Sequence, residues 1–486
     1  VSGLFQHKNL LSGALLIALP FALLGSCVLK SWMKPTAAVV AGLLFLEIFL
    51  LRTRGAWLGI LVAAFTTGGL AMLTGGELKK SLGFLRKIWP VIPVILIALA
   101  FSLNSEISQS SLLNERNITH RFAFWNNTMD MVAENAFTGV GNGNWRIHFS
   151  KYGLEHTDAN VMNGQTGIQR PHNDYLWILA EQGVPGLLAF LALILLAKWR
   201  LFSERKKVDN RTSALIDLAL WFGFIGFAVF SLGDFPYERS AHMTFYMILL
   251  LLMLSPSPNE KGRRFAAAPL LIVFASISLF SAYVASQRMQ SEVAVKQVQR
   301  FNSQQSPQII RAAERAENAY YVIDNFTNPL PYYSGLGRLY LEKNLPAAQK
   351  DLERALEIHP WHILSLNQLG NLHKQRGQYQ KAEALFDEAL AISPEFEMAR
   401  LNKAEMLIKK EEWDQAFLLI HGCPLKSKNR KLFVLAAQIL PQWLENRLNG
   451  LGASTPELAK TLEPYRNKPE DMLRVYEQYR QQKLEA

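Results

Sequence analysis

The chain has 486 residues, half of them hydrophobic and only 19% charged, with a formal net charge of +11. So low a charge fraction at this length points to a membrane part joined to an aqueous part. The basic residues fall in short loops between apolar runs rather than in a stripe with interleaved aromatics, which speaks against nucleic acid as a partner, and Cys27 and Cys423 cannot build a disulfide framework or a zinc site.

Eight apolar runs are long enough, or nearly so, to span about 30 Å of hydrocarbon. They lie near 9–29, 36–51, 56–74, 88–104, 183–199, 214–232, 241–255 and 266–284. Cys27 closes the stretch LLGSC, similar to a lipoprotein cleavage box, but the runs that follow favour a cysteine inside a membrane helix. The chain begins at Val1 with no recognisable start or signal peptide, so it reads as a piece lacking upstream helices.

Loop charges orient the set. Loops 30–35, 76–87, 198–213 and 256–265 are basic on balance and alternate correctly as cytoplasmic. The long loop 105–182 and the short one at 233–240 are acidic on balance and read as extracytoplasmic. That orientation puts residues 286–486 outside the cytoplasm as well. One loop breaks the rule: LLRTRGAWL places Arg52 and Arg54 on the outer side. Two arginines there suggest an anionic partner, with interfacial snorkelling as the plainer alternative.

Within the long loop, HRFAFWNNTMDMVAENAFTGVGNGNW predicts a helix and then a glycine turn. Phe122, Trp125, Met129 and Val132 share one face at helical spacing, expected to lie on the membrane or the bundle. Arg121 opens this helix, as a surface charge or a second anion contact. The turn GVGNGNW lacks the preceding strand and following Lys-Ser/Thr of a phosphate loop, so it reads as structural.

The stretch RPHNDYLWILAEQGVPGLL, residues 170–188, sets Arg170, His172, Asn173 and Asp174 directly before an apolar run. Asn173 and Asp174 suit a helix start, and His172, Tyr175, Leu176 and Leu179 are expected on one face. Arginine forks fit phosphate oxygens and stay charged. A histidine of near-neutral pKa can take a proton from an attacking hydroxyl. Together they suit displacement of a lipid-linked diphosphate whose charge grows as it leaves. No Asp-x-Asp pair occurs, so a divalent metal holding a nucleotide sugar is not indicated and no cofactor is expected.

At these residues the chain resembles the bacterial O-antigen ligase superfamily, which includes O-antigen polymerases and protein O-oligosaccharyltransferases. His172-Asn173, nine residues and Gly183-Val-Pro-Gly186 is similar to its His-Asn-x9-Gly-x-x-Gly motif. Arg54-Gly-Ala-Trp-Leu58 is similar to its Arg-x-x-x-Leu, Arg121 resembles its second essential arginine, and VSGLFQHKNLLSG resembles its GLxxHKN helix start. The resemblance covers roughly residues 1–255. It implies a metal-independent, inverting transferase with a GT-C-like helix bundle in a bacterial inner membrane. The donor is a glycan on undecaprenyl diphosphate, and the acceptor hydroxyl lies on lipid A–core, a growing glycan or a protein. By the same resemblance Arg54 and Arg121 bind diphosphate and His172 activates or positions the acceptor, with Arg52, Arg170, Asn173 and Tyr175 in support. Family members have more membrane helices than this chain, in keeping with an N-terminal truncation.

Residues 361–394 look like a tetratricopeptide repeat: Leu369, Gly370, Ala382, Phe386, Ala389 and Pro394 hold its packing positions, and Pro360 and Pro394 are 34 residues apart. An earlier copy supplies Gly337, Ala348, Ala355 and Pro360; a degenerate third supplies Ala404, Trp413, Ala416 and Pro424. Such stacked pairs suit a protein partner, or simply support the membrane domain. The expected chain is all-α: a polytopic membrane helix bundle (1–285, with the periplasmic loop 105–182), connecting helices (286–324), a soluble tetratricopeptide-type α-solenoid (325–424) and a helical segment (425–486). A membrane-anchored repeat scaffold for envelope assembly is the non-enzymatic alternative, and a transporter would place its charges within helices rather than at their ends.

Overall fold

The computed structural model describes residues 8–73, 115–155, 157–201, 211–255, 267–423, 430–448, 456–465 and 468–485. The run expected at 88–104 and the loops 76–87 and 256–265 lie outside the described residues. Among these residues regular structure is helical, with one isolated bridge between Ile323 and Pro329. The chain divides into two compact units, Val1–Trp145 with Arg170–Ala266, and Arg146–Gln169 with Ala267–Ala486.

The first unit contains α1 (Lys8–Val28), α2 (Lys34–Leu50), α3 (Arg54–Leu73), α4 (Glu115–Glu134), α5 (Asp174–Trp199), α6 (Arg211–Phe230) and α7 (Ser240–Leu254). Of these, α1, α3, α5 and α6 are long and apolar enough to cross a membrane, and α7 is a shorter apolar helix. Large apolar side chains point outward, among them Leu43 and Leu50 on α2, Leu195 on α5 and Leu251 on α7. A soluble bundle would bury them; a bilayer solvates them.

Small residues let the helices approach. A Cβ on Gly59 of α3 would lie 2.6 Å from the Gly226 carbonyl of α6, so only glycine allows that crossing. The ring of Phe230 fills the space left by Gly13 and Gly55. Phe224 and Tyr246 stack at 4.8 Å between α6 and α7. Hydrogen bonds then pin the helix ends: Ser12 Oγ donates to Thr53 Oγ1 at 2.8 Å, His242 Nε2 lies 2.7 Å from the Leu10 carbonyl, and the Asp174 amide donates to the Ser231 carbonyl at 3.0 Å. The starts of α1, α3, α5 and α7 and the end of α6 therefore meet at one end of the bundle. The alternation read from the loop charges requires these ends to share a side.

Helix α5 is broken at Gly183, whose φ of 69° lies in the left-handed region. The glycine turn after α4 docks into this break. Val140 and Gly141 amides donate to the carbonyls of Ala180 and Glu181, and the Val184 amide donates to that of Ala136. A Cβ on Gly183 would sit 2.2 Å from the Phe137 carbonyl, and one on Gly139 2.3 Å from the Glu181 carbonyl carbon. Trp145, fully buried, closes the clamp by donating from Nε1 to Thr128 and from its amide to Glu181 Oε1, both at 3.1 Å. The turn is structural, with amides committed to carbonyls.

In the second unit, α8 (Ala267–Ser303) and α9 (Gln308–Ala319) precede the helix pairs α10 (Leu330–Tyr340) with α11 (Leu345–Ile358), α12 (Ile363–Gln375) with α13 (Tyr379–Ile392), and α14 (Glu397–Lys409) with α15 (Trp413–His421). The expected repeat positions are the packing positions: Ala348, Ala355, Ala382, Phe386, Ala389, Ala404 and Ala416 are fully buried. A Cβ on Gly370 would meet Phe386 at 2.7 Å. Helices α16 (Arg430–Leu448), α17 (Pro456–Leu462) and α18 (Pro469–Glu485) complete the unit, with Trp443 stacked on Phe417 at 4.1 Å.

The segment 146–169 packs within this unit. Leu154 donates its amide to the Ile392 carbonyl at 2.9 Å, Ser393 Oγ donates to the Met162 carbonyl at 2.8 Å, and Asn163 Oδ1 accepts from the Glu397 amide at 3.1 Å. Beside it lie two buried histidines, His359 and His362, with ring centroids 5.4 Å apart. Burial, then the charges of His148 and Arg146, lower His359 to about 3. Burial, then His359, lowers His362 well below the ordinary value.

Two outcomes follow from this packing. Gly183→Ala should lower the thermal midpoint in detergent, the left-handed strain alone costing about 1–3 kcal/mol, whereas Gly69→Ala, with open space around it, should not. A neutral buried histidine leaves the unfolded chain binding the extra proton, so stability falls as pH drops from about 6.5 towards 3. His359→Asn should remove about 1.4 kcal/mol per pH unit from that slope, read as a shallower fall of the midpoint with acidification.

Candidate active site

The site is built around GDFPYE, residues 233–238 within the link between α6 and α7. Pro236 opens a single 3-10 turn over Pro236–Glu238, which turns the chain back and fans successive groups in different directions. The Gly233 carbonyl accepts from Arg121 Nη1 at 2.9 Å. Asp234 accepts from Asn9 Nδ2 at 2.7 Å and, through its other oxygen, from the Phe235 amide at 3.0 Å. Asn9 Oδ1 in turn lies 3.4 Å from Thr53 Oγ1, immediately before Arg54. The Phe235 ring meets the His172 ring edge-to-face at 5.0 Å and the Arg170 guanidinium at 4.2 Å. One short loop thus contacts Arg121, Arg170 and His172 and reaches, through Asn9, the residue before Arg54.

Each expected site residue has a definite place. Arg54 begins α3 and Arg52 precedes it with a φ of 52°; both are exposed. Arg121 lies in the second turn of α4, not at its start, because the helix begins at Glu115. His172 is half-buried with a φ of 56° and precedes the helix, so it does not share a helical face with Tyr175, Leu176 and Leu179. A non-glycine residue held there is strained, and such strain concentrates at functional positions. Asn173 is the N-cap of α5, its Oδ1 accepting from the Leu176 amide at 3.1 Å. Tyr175 donates to the Ala228 carbonyl at 2.9 Å.

The residues expected on one face of α4 divide between the interior and the surface. Thr128, Met131 and Val132 are buried against the clamp, Trp125 donates to the Pro171 carbonyl at 2.9 Å, and Phe122 and Met129 stay exposed. The Trp125 bond fixes the backbone just before His172.

Acidic residues complete the site, and sequence reasoning did not single them out. Glu238 pairs with Arg170 at 2.9 Å. Burial lowers the Arg170 pKa and Glu238 opposes this, so the pair acts as a charge-balanced clamp rather than a spare cation. Buried Asp174 accepts from the Tyr237 amide at 3.1 Å, tying the start of α5 to the loop. The only sequence signals were the acidic balance of 233–240 and the helix-start preference of Asp174. Among the described residues no group of three or more His, Cys, Asp and Glu is arranged to hold a metal ion. The arrangement offers arginines for an anion and an imidazole, oriented by Phe235 and its strained backbone, for a proton.

Residues 38–191 match the O-antigen ligase family, a span that includes all seven residues just placed. Residues 363–396 match the tetratricopeptide repeat. A stretch of 73 residues, 15% of the chain, is 30% identical to a protein of Pyropia yezoensis described as "Uncharacterized protein ycf37", and it spans 41% of that protein. No solved structure matches. One chain thus combines a match to the O-antigen ligase family over residues 38–191, helices long and apolar enough to cross a membrane, and a tetratricopeptide match at 363–396.

Proposed function

We propose that the chain belongs to an inverting, metal-independent glycosyltransferase that moves a glycan from undecaprenyl diphosphate to an acceptor hydroxyl at the periplasmic face of the inner membrane. His172 takes the acceptor proton on a ring nitrogen as the hydroxyl oxygen attacks the anomeric carbon. The bond from that carbon to the phosphate oxygen breaks, and its electron pair leaves with the diphosphate. Arg54 and Arg121 meet the growing negative charge. Arg52 adds positive potential, while Arg170, Asn173 and Tyr175, engaged with Glu238, the α5 cap and Ala228, position the others. The acceptor is lipid A–core, a growing glycan (as in a polymerase) or a protein (as in an O-oligosaccharyltransferase).

The observation that carries this reading is the convergence on residues 233–238. Arg121, from α4, and His172, from just before α5, meet one loop, and Asn9 links that loop to the start of α3. A structural set of surface charges gives no reason for such convergence. The repeats support the same reading over a free-standing scaffold, since they bind the chain's own segment 146–169, which in sequence separates Trp145 from Arg170.

In the full-length protein, His172→Ala should lower transfer from a lipid-diphosphate glycan by about 10²–10⁴-fold, the range of a lost general base, and Arg121→Ala should also impair it. Protein level should be unchanged in both. Normal transfer by both variants would contradict the assignment.

A further inference from the structure

Helix α8 changes its surroundings part-way along. Residues 267–286, AAPLLIVFASISLFSAYVAS, carry no charged side chain. Twenty helical residues rise about 30 Å, the thickness of bilayer hydrocarbon. The side chains of this stretch point away from the second unit, with Leu279 73% and Phe280 68% exposed. The last turns are the opposite: Ala294, Val295 and Val298 are buried, as are Ile309, Ala313 and Ala316 of α9. The helix runs from Ala267 to Ser303, so a part suited to hydrocarbon passes directly into a part that belongs to the folded repeat unit.

The changeover falls near Ser291. This buried hydroxyl donates to the Ala316 carbonyl at 3.0 Å and accepts from the Tyr321 amide at 3.0 Å. These bonds bring the chain that follows α9 back beside the point where α8 leaves its apolar stretch. The side chains gathered there are aromatic or amphipathic. Arg288 Nε donates to the Tyr321 hydroxyl at 3.2 Å, and its guanidinium lies 5.9 and 6.0 Å from the ring centroids of Tyr320 and Tyr321. Tyr283, Met289, Tyr320 and Val322 are exposed.

Depth decides what covers this surface. The polar headgroup zone on each side of the hydrocarbon is about 5–8 Å thick. Beyond Ser286, Arg288 lies about 3 Å and Ser291 about 7.5 Å further along the helix axis. With residues 267–286 filling the hydrocarbon, Arg288 and Ser291 fall in the headgroup zone, and Tyr320 and Tyr321, held by them, fall there too. Tyrosine rings with a polar tip and an arginine with a long apolar stem are the side chains that this zone favours. Water would leave the rings and Met289 as a bare apolar surface at the foot of a membrane helix.

We propose that Tyr283, Arg288, Met289, Tyr320 and Val322 form a lipid-docking surface that seats the start of the repeat unit in the headgroups where α8 leaves the bilayer. The partner of this face is the lipid surface itself, and the continuity of α8 is what selects it.

Depth measurement by electron paramagnetic resonance tests it, on the full chain in phosphatidylcholine nanodiscs. Cys27→Ser removes the exposed thiol, Cys423 being buried. Single nitroxide labels are placed at Met289→Cys and Val322→Cys, with Leu279→Cys and the exposed α16 position Val434→Cys as references. The Leu279 label should admit oxygen and exclude a nickel complex, and the Val434 label should do the reverse. The Met289 and Val322 labels should lie between them. Tyr320→Ser should shift the Val322 label towards the Val434 value with the thermal midpoint unchanged, since Tyr320 is itself exposed. Four results would overturn the proposal: a Leu279 label in water, a Val322 label as open to nickel as Val434, Met289 and Val322 labels closed to both reagents (a protein cover), or no shift with Tyr320→Ser. None of these readouts depends on glycan transfer.

Discussion

Three successive residues between α6 and α7 carry the weight of the first unit: the carbonyl of Gly233, the carboxylate of Asp234 and the ring of Phe235. Each engages a different part of the chain. Hydrogen bonds made at a helix end near a bilayer have little competing water towards the hydrocarbon, so a partner lost there is hard to replace. The loop has few degrees of freedom of its own, since Pro236 sets the turn and Asp234 caps the next amide. It can therefore act as a template on which arginines and a histidine from distant segments are registered.

The glycine clamp performs the complementary task. Gly183 breaks α5 so that its first turns, carrying Asp174 and Tyr175, and its apolar remainder follow different courses. Without the break, one straight helix would have to satisfy both the bundle and the loop. The turn at Val140 and Gly141 fills the opening and satisfies the freed carbonyls, which a membrane-proximal helix cannot leave bare. Strain at His172 and Arg52 is tolerated because neighbours on each side are pinned: Trp125 holds the Pro171 carbonyl, and Ser12 holds Thr53.

Much of this was legible in the sequence. Apolar runs gave the helices of the first unit because hydrocarbon thickness imposes a length that composition alone reveals. Small residues at a fixed period gave the repeats, since Ala382 and Ala389 are required wherever helices cross closely. Asn173 was readable as a cap because its side chain can accept from the next turn. What could not be read depends on partners far away in the chain. Arg170 is indistinguishable from an anion-binding arginine until Glu238 is seen beside it. Which residues of α4 are buried also depends on distant partners, since Thr128 is covered by Trp145 of the clamp while Phe122 and Met129 stay exposed. Segment 146–169 has no period at all, so nothing in its residues announces that it folds with the repeat helices.

The central claim is that Arg54, Arg121 and His172 surround one anion-binding space. The most direct measurement is a cryo-electron-microscopy structure of the full-length protein with an unreactive prenyl diphosphate. The account predicts diphosphate density in contact with both guanidinium groups and beside the His172 imidazole. Density bound elsewhere, or the three side chains facing separate surfaces with no shared cavity, would contradict it.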